Sequence, residues 1–512
     1  MRISYLLAAC LLIVASSSCN RQETPLNPGS AGENPNEVIP KSAINALVNE
    51  QLRLNDRFNW KMVGDKVAWS ALVQGDSILA VGYQPAGTGN LDEMIDKIDI
   101  RSQSWQAARQ TVLNLIAENE KVTGANAKNI ITYEASRLPV FYVKASRLAT
   151  VKALRASGMV RYAEPSGYGK YMNDGQAAKR SPATESGGLS FGCDANLPNT
   201  SLVAGTDYIN ITPGAKQSWN YALHSIPQAW TKSTGSNVKV MVIDTGTSPD
   251  QANLGSSFNQ GASTGRTVEK GVTYPGGTPA DVCGHGTKMA GVVAAPRGVN
   301  GNSAGIAYNC NLLAVHAAEN VVLLSSESLQ GVADAYVQGG DNASVKIISM
   351  SMGTIFESGQ VTDAVNYANN KGKLLFCAAG TTNSFFGGLL GVIYPAYLPA
   401  VQAVTGVTES ITTPCENCHT GSQVAFTIIM EKNGNRRNPL TTTATGDAPS
   451  TVGGSSVATA SAAGIAALVW SKYPSYPKDS IVARMKRASS NYPNRDSKLG
   501  WGYVNAAVAV GN

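Results

Sequence analysis

Three side chains in this chain of 512 residues have the types, neighbours and order to cleave an acyl bond: Asp244, His285 and Ser456. Ser456 lies in Gly453-Gly454-Ser455-Ser456-Val457-Ala458-Thr459-Ala460. The glycines permit a sharp entry into a helix, and Ala458, Ala460, Ala462, Ala463 and Gly464 let that helix pack closely on a sheet. A serine hydroxyl is a poor nucleophile without an adjacent base. At a helix N-terminus it also gains unpaired N–H groups and a dipole that favour a developing oxyanion. His285, in Gly284-His285-Gly286-Thr287, is the candidate base, with only His224, His316 and His419 as competitors. Asp244 ends the apolar run Val238 to Ile243 and is the candidate that orients the imidazole. Asp244-Thr245-Gly246 would also suit aspartic peptidase chemistry, but that needs two such carboxylates and the chain has no second copy.

The order Asp, His, Ser differs from the Ser, Asp, His of α/β-hydrolases and the His, Asp, Ser of the chymotrypsin fold. With Met289-Ala290-Gly291 after the histidine and Gly502-Tyr503-Val504-Asn505-Ala506 near the end, the chain resembles the subtilase family of serine peptidases over residues 217–512. The resemblance implies an endopeptidase acting on proteins or peptides. It also implies that Ser351, Met352 and Gly353, with Ala378, Ala379 and Gly380, flank the substrate chain and wall its first specificity pocket. Three departures stand out. Lys288 replaces a common His, Ser455 replaces the usual Thr, and Thr459-Ala460-Ser461 replaces Thr-Pro-His. A fourth touches the oxyanion hole: the family's Asn after Ala-Ala-Gly is displaced here by Thr381 and Thr382, so that Asn383 and Thr381 are both candidate donors. A non-catalytic surface lipoprotein that keeps the fold as a binding module is the competing reading. The resemblance is compatible with a structural calcium ion but assigns it no residues, and no metal ligands or other cofactor are read from the sequence.

These residues must be positioned by a sheet and its helices. From Gln217 onward, buried apolar runs at Val238 to Ile243, Asn311 to Val315, Val345 to Met350 and Leu374 to Ala379 alternate with helical segments beginning at His285, Leu329 and Thr362. Unalternated apolar runs separated by helices predict an α/β fold, a mostly parallel sheet covered on both faces, with ligands outside the carboxyl ends of the strands. Residues 59–168 predict a small α+β unit. It has a strand at Ser77 to Val81, a helix presenting Trp105, Ala108, Val112, Leu115 and Ile116, and a hairpin from Asn129 to Tyr133 and Pro139 to Ala145. A short helix through Leu148, Val151 and Leu154 and a last strand at Met159 to Ala163 complete it. Its order and its ending Arg161-Tyr162-Ala163-Glu164-Pro165 resemble the inhibitor propeptide of subtilases, which makes the chain's own propeptide its expected first partner. Residues 169–216, rich in Gly, Ser, Asn and Pro, read as a processing linker and lead-in.

At the other end, Arg2, the apolar run Ile3 to Ala15 and Ser16-Ser17-Ser18 read as an export signal over 1–18. Cys19 then resembles the acylated first residue of a bacterial lipoprotein, with 19–58 as its tether and the membrane as a lipid-mediated partner. Lys and Arg number 41 against 35 acidic residues, and the resulting +6 is spread without a basic block, which argues against nucleic acid as a partner. Export makes disulfides accessible to Cys193, Cys283, Cys310, Cys377, Cys415 and Cys418. Cys283 and Cys310 would lie at opposite ends of a helix about 15 Å long, too far for a bond. Cys415-Glu416-Asn417-Cys418-His419 has haem-attachment spacing, but it falls in a connection of an otherwise complete peptidase and reads as a local disulfide.

Overall fold

A computed structural model describes residues 37–122, 130–172, 192–381 and 391–511. The signal segment, Cys19 and Asn383 lie outside the described residues. The N-terminal unit begins with α1 (Lys41–Asn55) and α2 (Asp65–Gln74). It continues through β1 (Ile78–Tyr83), α3 (Gln103–Glu120), β2 (Ile131–Glu134), β3 (Val140–Lys144), α4 (Leu148–Ala156) and β4 (Val160–Pro165). The strands form an antiparallel sheet in the order β2-β3-β1-β4. The helix α1 falls in the segment expected to be a tether. Ile44, Val48 and Leu52 recur at helical spacing and are buried in the same core as the sheet, so the folded unit includes this helix and is not confined to residues from 59 onward.

The lead-in is also more ordered than its composition suggests. Its β5 (Tyr208–Ile211) and β6 (Ala215–Ser218) form a hairpin, and Lys216 N donates to Asn302 O at 2.9 Å. Two short helices follow, α5 (Asn220–Leu223) and α6 (Ile226–Trp230). The second sheet then builds from β7 (Lys239–Asp244), β8 (Val268–Val272), β9 (Asn311–His316), β10 (Val345–Met350), β11 (Leu374–Ala378), β12 (Val401–Thr408) and β13 (Val424–Glu431). All neighbours are parallel, in the order β13-β12-β11-β10-β7-β9-β8. The helices are α7 (His285–Ala294), α8 (Ser326–Asp341), α9 (Gly359–Asn370), α10 (Gly454–Lys472), α11 (Lys478–Arg487) and α12 (Ala506–Val510).

Two cores cover the sheet's faces. On one face α7 and α10 pack through Val292, Val293, Ala460, Ala463, Ala467 and Leu468 against Val240, Leu312 and Phe376. Every residue of α10 from Val457 to Trp470 is buried, which is why this helix is apolar around its circumference. On the other face α8 and α9 contribute Val332, Tyr336, Val361 and Val365, and this core continues without a break into Val81, Phe141 and Leu154 of the N-terminal unit.

Polar contacts line the join between the two units. Arg161 clamps Asp363 with two bonds of 2.6 and 2.7 Å, the Tyr162 hydroxyl donates to the same carboxylate at 2.9 Å, and Tyr133 donates to Asp334 at 2.6 Å. Glu164 accepts from Gly359 N at 2.9 Å, which places its carboxylate at the N-terminus of α9. Beside it the Trp60 ring stacks on Phe356 at 5.8 Å, and Phe58 O accepts from Glu357 N at 3.0 Å.

Candidate active site

Asp244 is the last residue of β7 and His285 the first of α7. The strand ends in a buried carboxylate, and Gly286 lets α7 approach the turn after it: a Cβ on Gly286 would stand 2.2 Å from Gly246 O. Asp244 Oδ1 and His285 Nδ1 are 2.7 Å apart, with side chains 1% and 4% exposed. The same Oδ1 accepts from Thr245 N at 2.9 Å. With Nδ1–H donating to the carboxylate, Nε2 keeps its lone pair and can act as a base. The other histidines are committed elsewhere. His224 lies between Val504 O and Ile429 N at 2.7 and 2.9 Å, its basicity pushed down to about 4 by burial. His316 stacks on Tyr274 at 5.5 Å, and His419 packs under Gly380, also pushed down to about 4 by burial.

Ser456 occupies the first turn of α10, where backbone N–H groups have no partner within the helix. Ser351, just beyond β10, donates its hydroxyl to Ser456 O at 3.0 Å and ties the main chain of that serine to the neighbouring strand end. Because β10 is the parallel neighbour of β7, Ser456, held by Ser351, and the Asp244–His285 pair lie at the carboxyl ends of adjacent central strands. Ser456 Oγ and His285 Nε2 make no hydrogen bond to each other among the described residues. Such bonds are often long in unliganded sites and tighten around the reacting carbonyl.

Sequence reasoning missed the residue that organises the histidine's helix. Asp281 Oδ1 accepts from Thr245 Oγ1, Cys283 N and Gly284 N at 2.8, 3.0 and 2.7 Å. Its Oδ2 accepts from Thr287 N and Oγ1 at 2.8 and 2.6 Å. Thr245 Oγ1 in turn accepts from Gly286 N at 2.9 Å, so one carboxylate and one hydroxyl lock the first turn of α7 to the Asp244 strand end. An acidic residue four positions before a helix-opening histidine was the available signal. The partner of Cys283 was also unassigned. It is Cys193, which bonds two residues ahead of His285, while Cys310 and Cys377 are free and buried. Lys288 reaches the Asp194 carboxylate at 2.7 and 2.6 Å.

Around the oxyanion position Ser455 matters as much as Thr381. Ser455 N donates to Thr381 Oγ1 at 3.1 Å, Gly380 N donates to Ser455 Oγ at 3.1 Å, and the two hydroxyl oxygens are 3.1 Å apart. Two hydroxyls own two hydrogens and share one bond, so one hydrogen remains to point outward. A hairpin supports this turn from behind: Cys415 and Cys418 are joined in a disulfide, Thr381 pairs with Cys418, and His419 N donates to Gly380 O at 3.0 Å.

The six residues expected to flank substrate lie at or just beyond the ends of β10 and β11, but not all are open to it. Met352 is buried, Ala379 O accepts from Ile393 N at 2.9 Å, and the Ser351 hydroxyl is turned to Ser456. Gly353 has both backbone groups occupied, N–H to Val321 O at 3.0 Å and C=O from Leu323 N at 2.9 Å. The loop after β9 thus pairs with the backbone edge of Gly353. Among the described residues, no group of three or more His, Cys, Asp or Glu could hold a metal ion.

Comparison with known proteins agrees with this geometry. Residues 235–502 match the model of the subtilase family of peptidases. The chain is 32% identical over 300 residues to the thermostable alkaline protease of Halalkalibacterium halodurans, covering 57% of this chain and 73% of that protein. It is 28% identical over 284 residues to thermitase of Thermoactinomyces vulgaris, covering 56% of this chain and 92% of that one. With a seven-stranded parallel sheet flanked by helices, this chain belongs to the subtilase family and is a serine endopeptidase.

Proposed function

We propose that this peptidase works through Asp244, His285 and Ser456, is made as a precursor held latent by its own N-terminal unit, and is exported and anchored through Cys19. In this reading Ser456 Oγ attacks the scissile carbonyl while His285 Nε2 takes its proton, and His285 then returns that proton to the leaving amine. Asp244 holds the ring with Nε2 free and stabilises the imidazolium that forms. The observation that carries the reading is the buried 2.7 Å Asp244–His285 pair beside a serine that opens a helix. The Ser456 N–H and one side-chain donor, Asn383 or Thr381, would receive the oxyanion.

Latency is supported by the extent of the join. The N-terminal unit shares a core with α8 and α9, and Trp60 and Phe58 hold the chain leading from the substrate-flanking segment into α9. Export is supported by the apolar N-terminal run and by the Cys193–Cys283 disulfide, a bond characteristic of oxidising compartments. Expression of Ser456→Ala in a protease-free host tests self-processing. The variant should remain at precursor length while wild type yields a mature chain starting between about Tyr168 and Lys216. Identical trimming of both would exclude autocatalysis.

A further inference from the structure

The order of the strands fixes what each side of a bound peptide would meet; this inference rests on the catalytic reading above. The Ser351–Gly353 segment leaves β10 with β11 on one side, ending in Ala378 and followed by Ala379 and Gly380. On its other side are β7 and β9, with Asp244, His285 and Val321. Side chains of an extended peptide alternate between opposite faces. If the residue whose carbonyl is attacked points to the β11 side, the residue preceding it points toward His285 and Val321.

Two features of this chain narrow that second position and end the cleft beyond it. First, the segment starting at Gly192 is fastened beside the histidine. The Cys193–Cys283 bond, the Asp194 N to Cys283 O bond of 3.0 Å and the Lys288–Asp194 pair hold it, and Asn196 Nδ2 donates to Thr442 O at 3.2 Å. Gly192 comes so near that a Cβ on it would lie 3.7 Å from His285 Cδ2 and 3.0 Å from Val321 Cγ2. Second, the Gly353 N–H and C=O are both bonded to the loop at Val321 and Leu323, so the backbone edge on which further substrate residues would pair is already paired.

We infer that the acyl side of this cleft is short and walled. It takes two residues before the scissile bond, and the second must be small: Gly, Ala or Ser. The segment Gly192–Asp194, which the Cys193–Cys283 bond keeps on the enzyme wherever the linker is cut, is the specificity element for that second residue, and the Val321–Gly353–Leu323 pairing sets the length.

The test uses the protein purified from expression of the full chain, with active serine counted by fluorophosphonate titration. The substrates are a p-nitroanilide series carrying one to four residues on the acyl side and a set varied at the second. A pair of backbone bonds to a free Gly353 edge would raise kcat/KM by roughly tenfold or more between two and four residues, since each such bond contributes about 0.5–1.5 kcal/mol. The expected rise is instead under about threefold, with Gly, Ala and Ser preferred over Leu and Phe at the second position by roughly tenfold or more. In Cys193→Ser with Cys283→Ser, or in wild type under mild reduction if that variant does not fold, the second-position preference should relax while the length dependence stays flat. A larger rise with length, free acceptance of Leu and Phe, or a preference untouched by opening the disulfide would overturn the inference in a titratable enzyme. A folded protein with no titratable serine would overturn the catalytic reading, and this inference with it.

Discussion

Replacing Glu164 by Gln should remove a pH dependence from the docking of the N-terminal unit. The carboxyl is fully buried between β4 and the start of α9, and burial raises it from an ordinary 4.5 to about 7. Glu357 and Asp363 push it further up, while the Gly359 N–H bond and Lys61 pull it down without restoring it. The raised value means that the docked state binds more protons than the open chain between about pH 4.5 and 7, so stability falls as pH rises through that window. At 1.36 kcal/mol per pH unit, the contribution amounts to roughly 3 kcal/mol, fully present below the window and lost above it. Gln keeps an oxygen for Gly359 N and carries no charge, so its contribution should be flat. The assay is urea unfolding of the Ser456→Ala precursor, with and without Glu164→Gln, from pH 4.5 to 8. The precursor's stability relative to the Gln variant should fall by about 2 to 3 kcal/mol across the range, leaving Gln the more stable at pH 8. A difference that stays within about 0.5 kcal/mol at every pH would refute the reasoning, because a buried carboxyl at that join could not then be changing its protonation.

Asp281→Ala should lower kcat by roughly tenfold to a hundredfold with little change in KM, since it releases five hydrogen bonds that fix the His285 turn without touching substrate. Steady-state kinetics with a melting curve separates this from unfolding. Asn383→Ala should cost kcat roughly a hundredfold or more if its amide is the oxyanion donor, and Thr381→Val distinguishes the alternative. If Asn383→Ala matches wild type while Thr381→Val is crippled, the donor is Thr381. Cys19→Ala should release the protein from membranes or block removal of its signal, as read by fractionation and by the mass of the N-terminus.

The strands that position the site were legible because buried parallel strands are short continuous apolar runs, and Val345 to Met350 was read with the same limits that it has in the structure. The helix after Gly284 was equally plain, its start punctuated by Gly and its body apolar. What escaped was cooperative or distant. Asp281 had a positional signal four residues before His285, but its role shows only when its two oxygens are seen to collect donors from Thr245, Cys283, Gly284 and Thr287. Cys193 lies 90 residues from its partner, and spacing does not encode such a pairing. The closure of the Gly353 edge depends on where the loop after β9 settles, a tertiary choice without a local signal. The helix Lys41–Asn55 did have one, in Ile44, Leu47, Val48 and Leu52, but its position after an apparent tether concealed it.

The central claim, that Ser456 is a nucleophile activated by His285, is tested most directly by covalent labelling. A serine-directed fluorophosphonate should place one adduct per active chain on Ser456, located by mass spectrometry of a digest, and His285→Ala should abolish it. A folded, mature protein that takes no label, or takes it on another residue, would contradict the account.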